Sequence, residues 1–266
     1  MTRATVVRSP RHSLRWAVEL LWCLAANRVN VRYKGTVLGP GWIFLQPVAL
    51  TVIFTYIFKR FAQVSSGTVP YPLFTATGLV AWSLTALVVN ASANTLIGNQ
   101  AILKRIALPR LLLPLSTVLA AFADLAVLAL LLMGLGIYYH ISLSPAAAWV
   151  VVLLAIHVAL LIGLACLAAL ANVWWRDVGH AIPSLLQLWF FASPVFYPAA
   201  MVPRDFHLLA RWNPMTGLIE GYRAVLLRGA MPPWDLVGPA AVTTAVILAL
   251  GLLSFRRFEG TLADLL

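Results

Sequence analysis

The side chains able to do chemistry are few. Eight carboxylates are scattered along 266 residues, with five histidines and two cysteines among them. A paired acid–base site needs two ionisable groups within hydrogen-bond reach of one reacting atom, and no stretch gathers the carboxylates in that way. No H-E-x-x-H, paired-cysteine or nucleophile-elbow pattern occurs. Lys34-Gly35-Thr36 ends like a phosphate-binding loop but lacks the leading glycines and the strand before them. Cys23 and Cys166 lie far apart in apolar surroundings, where a thiol behaves as a small hydrophobe. The residues therefore predict no catalytic group, no metal site and no disulfide. If the chain takes part in ATP-driven work, another polypeptide must hydrolyse the nucleotide.

Three other groups stand out. The first is the basic segment Gln100 to Arg110, where Ile102, Leu103 and Ile106 alternate with Lys104 and Arg105 before Pro109 and Arg110 end the helix. It reads either as an ordinary positively charged loop between spans or as a short helix that docks on a cytoplasmic partner. The second is Asp124 and His157, ionisable residues inside apolar runs. Such residues are costly in a bilayer and often functional, yet one proton relay would need more than two of them. A structural hydrogen bond is the favoured role for both, for Asp124 near Ser116 and Thr117 or to a neighbouring helix. The third is an aromatic stretch, Trp189, Phe190, Phe191, Phe196 and Tyr197, interrupted by Ser193-Pro194. Non-helical backbone at membrane depth survives only where protein or a water-filled cavity surrounds it, so this stretch predicts a turn back at the outer mouth of a passage. Trp174 and Trp175, before Arg176 and Asp177, suit an interfacial belt.

The elements that position these groups are apolar helices. The chain is 62% hydrophobic and 10% charged, against about half and a quarter in soluble domains. That is too little polar sequence to cover a soluble surface. The net charge of +11 sits at the ends of apolar runs, as membrane topology requires, and no nucleic-acid recognition module accompanies it. The expected fold is all-α and integral to the membrane, with six transmembrane helices at about 42–58, 73–97, 111–139, 146–173, 182–196 and 236–255. Residues 1–34 form a cytoplasmic N-terminus, 35–255 the transmembrane domain and 256–266 a cytoplasmic tail. Arg3, Arg8 and Arg11 before an apolar run imitate a signal peptide, but Arg15 and Glu19 interrupt the run and the segment is read as retained.

Leu14 to Val31 reads as an amphipathic helix in the membrane interface. Arg15, Glu19, Asn27 and Asn30 share one wedge at 100° per residue. Leu14, Val18, Leu21, Ala25 and Val29 form the apolar face, and Arg28, falling on that side, would have to snorkel. With both termini inside, 13 Lys and Arg lie in cytoplasmic segments and 6 outside, the bias expected of cytoplasmic termini. Those six include Arg223 and Arg228, in a long outer segment.

Several segments taken together resemble a known family. Arg32-Tyr33-Lys34-Gly35-Thr36-Val37-Leu38-Gly39-Pro40-Gly41-Trp42 resembles the approach to the first span in the membrane subunits of ABC exporters for cell-surface polysaccharides, which carry O-antigen, capsule and teichoic-acid precursors. Leu103-Lys104 to Pro109-Arg110, followed by Pro114, is similar to that family's cytoplasmic coupling helix between spans two and three. Ser193-Pro194-Val195-Phe196-Tyr197-Pro198 and Asn213-Pro214 to Tyr222-Arg223 resemble its outer re-entrant region after span five.

The resemblance implies a permease subunit in the bacterial inner membrane that works as a homodimer. Two copies of a cytoplasmic nucleotide-binding subunit would bind ATP and Mg, leaving this chain with no cofactor of its own. The cargo would be a lipid-linked glycan on a polyprenyl pyrophosphate. By position, Ile102, Leu103, Lys104, Arg105, Pro109 and Arg110 would form the ATPase-coupling surface. Arg28, Arg32 and Lys34 would meet the lipid pyrophosphate at the channel entrance. Tyr56, Trp82, Phe190, Phe191, Phe196 and Tyr197 would line the sugar path. A drug or small-lipid exporter of the same superfamily shares the coupling helix and is the main alternative. A membrane-embedded polyprenyl-phosphate glycosyltransferase would want clustered acids to hold a metal and a phosphate, and these are missing from the sequence.

Overall fold

The computed structural model describes residues 14–37, 39, 41–60, 69–105, 108–142 and 144–258. Among them every regular element is helical. The expected coupling anchor Ile106, the first thirteen residues and the last eight lie outside the described residues. In chain order the helices are α1 (Leu14–Tyr33), α2 (Gly41–Arg60), α3 (Tyr71–Ala93), α4 (Gln100–Arg105), α5 (Leu112–Tyr138), α6 (Val150–Trp174), α7 (Val178–Ala192), α8 (His207–Trp212), α9 (Pro214–Leu227) and α10 (Trp234–Phe258). Gly35 and Gly39 take positive φ of 79° and 51°, a conformation that glycine adopts without strain. They turn the chain from α1 into α2.

Five of these helices, α2, α3, α5, α6 with its leading turn from Pro145, and α10, are long and apolar enough to cross a membrane. The chain is thus a multi-pass membrane protein. This is one fewer than the six spans read from the sequence. The expected span at 182–196 is realised as α7, which has 15 residues. At 1.5 Å per residue it reaches about 22 Å, short of a hydrocarbon core about 30 Å thick. The apolar run continues past Ala192, but Pro194 lacks the N–H that a helix needs, so the chain leaves the helix there.

The centre of the bundle is α3, which packs on α2, α5, α6, α7 and α9. Its apolar window is 78% buried and that of α2 only 11%, although both have a mean hydropathy of 1.7. The most extensive helix packing is that of α6 against α10. A Cβ built on Gly163 would lie 2.8 Å from the Ile247 carbonyl oxygen, and one on Gly251 would lie 2.6 Å from the Gly163 oxygen. Two backbones therefore touch directly, as small residues allow in membrane helix pairs. Such an approach gains dispersion contacts that no larger side chain leaves room for.

Candidate functional site

Between α7 and α9 the backbone of Ser193–Pro198 is not helical, and Ser193, Val195 and Phe196 are buried. Carbonyls freed in this way must find donors inside the protein. Arg223, in the middle of α9 and fully buried, supplies most of them. Its Nη1 donates to the Pro194 oxygen at 2.7 Å and the Tyr197 oxygen at 3.4 Å, and Nη2 to the Val195 oxygen at 2.5 Å. Nε donates to the Phe74 oxygen of α3 at 3.2 Å. The Tyr71 hydroxyl donates to the remaining carbonyl, that of Phe196, at 2.6 Å.

A bare guanidinium would be prohibitively costly here, and Glu220 supplies the counter-charge at 3.0 Å. Its other oxygen accepts from Arg228 at 2.7 Å. The guanidinium carbon also lies 3.4 Å from the centre of the Phe74 ring, within cation–π range. Gly78 makes room for the bracket, since a Cβ there would meet the Val195 oxygen at 2.5 Å. Arg223, counted from the sequence among the charges of a long outer segment, is buried and acts as an internal fastener. The i,i+3 spacing of Glu220 and Arg223 in a helix opened by Asn213-Pro214 was the available signal.

Asn213 caps that helix. Its Oδ1 accepts from the Met215 N–H at 3.1 Å and the Trp189 indole N–H at 3.0 Å, while Nδ2 donates to Ser193 Oγ at 3.0 Å. Losing a cap costs about 1 kcal/mol and each further bond about 1 kcal/mol. Asn213→Ala should therefore lower stability by about 2–3 kcal/mol. Asn213→Asp, which keeps the cap oxygens and loses the donor to Ser193, should fall in between. Thermal unfolding in detergent reads both.

Beside this bracket lies an aromatic cluster. Phe196 packs on Phe54 and Phe58 of α2, each with centroids 5.0 Å apart. Trp82 of α3 meets Trp189 at 5.3 Å and Phe190 at 5.5 Å. Phe191 and Tyr197 join through Phe190 and Phe196. Five of the six aromatics expected along a sugar path thus share one cluster, to which the sequence reading had not assigned Phe54 or Phe58. Tyr56 points away from that face of α2, two residues or 200° from Phe54, and is 63% exposed. His157, the second intramembrane ionisable residue, bridges α3 and α9, with Nε2 2.8 Å from Thr85 Oγ1 and Nδ1 3.4 Å from the Tyr222 hydroxyl.

At the opposite end α1 packs along the first half of α5. Arg28 does not snorkel: it donates to Ser116 Oγ at 2.8 Å and to Thr95 Oγ1. One turn on, Arg32 forms an ion pair with Asp124, and the Tyr33 hydroxyl donates to the other carboxylate oxygen at 2.7 Å. Asp124 is buried, so its charge is matched from α1 and not from Ser116 or Thr117. The inward face of α1 thus carries two arginines: Arg28, which helical periodicity placed on the apolar side, and Arg32, which lay beyond the expected helix. Burial, and then the Arg32 charge, lower the Arg28 pKa; burial also pulls on Arg32, but Asp124 and Tyr33 outweigh it and the net shift is upward.

Arg32 stands between two cavities. One of about 740 Å³ runs between α1, α2, α3 and α5, with Gln46, Ser83, Asn90 and Asp124 among its polar walls. The other, about 340 Å³, is lined by Asn27, Arg28, Asn99 and Thr117. Lys34 is exposed in the turn after α1.

A model of the ABC-2 type transporter family matches residues 19–227. This chain belongs to that family. Among its relatives are two O-antigen export system permease proteins RfbA. The one from Klebsiella pneumoniae is 26% identical over 96% of this chain and 98% of its own length. The one from Myxococcus xanthus is 29% identical over 90% and 93%. The polysialic acid transport protein KpsM of Escherichia coli is 22% identical over 89% and 92%.

Membership of the ABC-2 family implies pairing with an ATPase subunit, which directs attention to α4. This six-residue helix carries Ile102, Leu103, Lys104 and Arg105, and Pro109 and Arg110 follow before α5. Leu103 packs inward against the cluster of Leu96, Leu113, Cys166, Leu170 and Phe255, while Lys104 is exposed. The neighbouring turn from α6 to α7 is tied to α3 by Asn172, which the sequence reading had passed over. Asn172 donates to the Ala93 oxygen at 2.8 Å and accepts from the Gly179 N–H at 2.8 Å.

Proposed function

We propose that this chain is the permease subunit of an exporter that moves a lipid-linked cell-surface polysaccharide out across the bacterial inner membrane. The observation that carries the reading is end-to-end similarity to permeases for two such polymers: O-antigen export proteins aligned over 96% and 90% of this chain and a polysialic acid transporter over 89%. An ATPase subunit, in two copies beneath a permease homodimer, supplies the energy. The carrier is a polyprenyl pyrophosphate.

Both termini are cytoplasmic in this reading. With Arg223 buried, the external count falls from six to five against 13 inside, which supports that orientation. Here α7 is the sixth crossing, a short one, and α9 returns into the outer half to fill the space above it. The outer mouth is then recessed, with the aromatic cluster beside it. Rings that stack on sugars offer a sliding polymer many weak contacts in place of one tight pocket. The exposed apolar side of α1, with Val18, Trp22 and Val31, rests in the cytoplasmic leaflet. Arg28, Arg32 and Lys34 lie where a pyrophosphate would enter.

Coupling runs through α4. Replacing Lys104 and Arg105 together by Glu should leave membrane insertion intact, keep ATP hydrolysis by the complex and abolish surface polymer. Normal surface polymer in that double variant would remove α4 from the coupling surface. Deleting the gene is the wider test: surface polysaccharide should be lost while lipid-linked precursor accumulates inside. Unchanged surface polymer would overturn the exporter reading.

A further inference from the structure

Resting on that reading, we infer that Asp124 is a specificity-determining counter-anion: it occupies Arg32 so that singly charged lipid head groups are rejected and a diphosphate is admitted. The argument starts from supply. The cytoplasmic leaflet is rich in anionic phospholipids, which are attracted to basic residues near the surface. An arginine left free beside an opening to lipid would be saturated by them, whatever the cargo.

In this protein Arg32 is not left free. It pairs with a buried carboxylate; Arg32 lines both the 740 Å³ and the 340 Å³ cavity, with Asp124 beside it in the larger and Arg28 in the smaller. A ligand entering either cavity must compete with Asp124 for the guanidinium. A phosphodiester with one charge offers Arg32 no more than the carboxylate already does, and the carboxylate is preorganised. A diphosphate diester carries two charges on adjacent groups and can engage Arg32 and Arg28 together, because the two stand one turn apart on the same face of α1. The hydroxyls of Ser116 and Thr95, which now accept from Arg28, are neutral partners and yield more easily than a carboxylate would.

Release of Arg32 does not strand the buried charge. Tyr33 keeps its 2.7 Å hydrogen bond to the second carboxylate oxygen, so Asp124 retains a donor through the exchange. An isolated buried carboxylate would make the exchange far more costly. The ion pair and the tyrosine together set a threshold that two charges exceed and one does not.

The test compares binding by the permease–ATPase complex in zwitterionic phosphatidylcholine nanodiscs. The probes are farnesyl-diphosphoryl-N-acetylglucosamine, its monophosphoryl analogue, and soluble UDP-N-acetylglucosamine, which has the diphosphate without the isoprenoid. Wild type should prefer the diphosphoryl over the monophosphoryl lipid by about a hundredfold, two decades in Kd. Asp124→Asn should narrow that ratio to about tenfold or less by gaining monophosphate affinity, and Arg32→Ala should weaken both lipids. Appreciable binding of the soluble probe would assign the site to free diphosphates and overturn the lipid-selective role. A ratio unchanged in Asp124→Asn, or two lipids bound equally by wild type, would also overturn it. If Asp124→Asn does not insert, Tyr33→Phe carries the test. It makes the carboxylate depend on Arg32 alone, so diphosphate affinity should fall about threefold, and an unchanged affinity overturns the inference. Loss of surface polysaccharide on gene deletion alongside any of these failures would retain the exporter reading and discard only the role of Asp124.

Discussion

Arg223→Leu is expected to be the most damaging single substitution around the Ser193–Pro198 break. The change removes the donors to the Pro194, Val195 and Tyr197 carbonyls and to that of Phe74. It also leaves Glu220 with only the half-exposed Arg228 as a cationic partner. Breaking a buried pair by removing one partner typically costs about 3–5 kcal/mol, a large part of a total stability of about 5–15 kcal/mol. The expected result is a large fall in thermal stability in detergent, with loss of the folded Ser193–Pro198 segment and of surface polymer. Arg223→Lys should not rescue it. A lysine presents one compact charge, whereas the guanidinium donates through three nitrogens in fixed directions. Near-normal stability in the lysine variant would show that charge, and not the fork of donors, holds the segment. Glu220→Gln should be milder, because the carbonyl bonds of Arg223 survive.

The second large effect is expected where α6 meets α10. Gly163→Leu places a side chain where the Ile247 and Leu248 backbones already stand within 2.8 Å of the Cβ position. Backbone atoms cannot rotate away, so the helices must separate along their length. Overpacking of this kind costs about 1–3 kcal/mol and sometimes more; with an entire helix contact at stake, the upper end is expected. Gly251→Leu should behave in the same way. Gly134→Leu on α5 is the control, since a Cβ there meets nothing within 4 Å. It should stay within about 0.5 kcal/mol of wild type and gain slightly in helix propensity. Melting curves of the three variants, purified side by side, decide the matter. Equal losses at all three positions would mean that a general intolerance of bulk, and not the crossing, is responsible.

These two sites show what could be read beforehand. The motif Ser193-Pro194 to Pro198 announced a break in the helix, because proline lacks an amide donor and restricts the residue before it. What satisfies the freed carbonyls was not legible. Arg223 lies 28 residues from Val195, and its i,i+3 spacing from Glu220, the one local feature that sets it apart from the exposed Arg204 and Arg211, does not say which carbonyls it reaches. Asp124 stood out for the right reason, a charge in an apolar run, and its hydrogen bond was expected either near Ser116 and Thr117 or to a neighbouring helix that was not named. The partner, Arg32, lies 92 residues away on α1, past the end expected for this helix at Val31.

Composition and periodicity determined that this chain is helical and embedded in a membrane, that it carries no recognisable catalytic motif, and where its long apolar helices run. Each of those properties depends on residues close together in sequence: length against bilayer thickness, apolar content, proline and glycine at the breaks. Only the tertiary structure decided which helix is central and which charges are internal. The physical reason is that lipid tails and a protein interior are equally apolar solvents. Hydropathy therefore gave α2 and α3 the same value of 1.7 while the packing buried one at 11% and the other at 78%. A buried arginine is likewise stable only when distant carbonyls and carboxylates converge on it, and that convergence exists only in the folded chain.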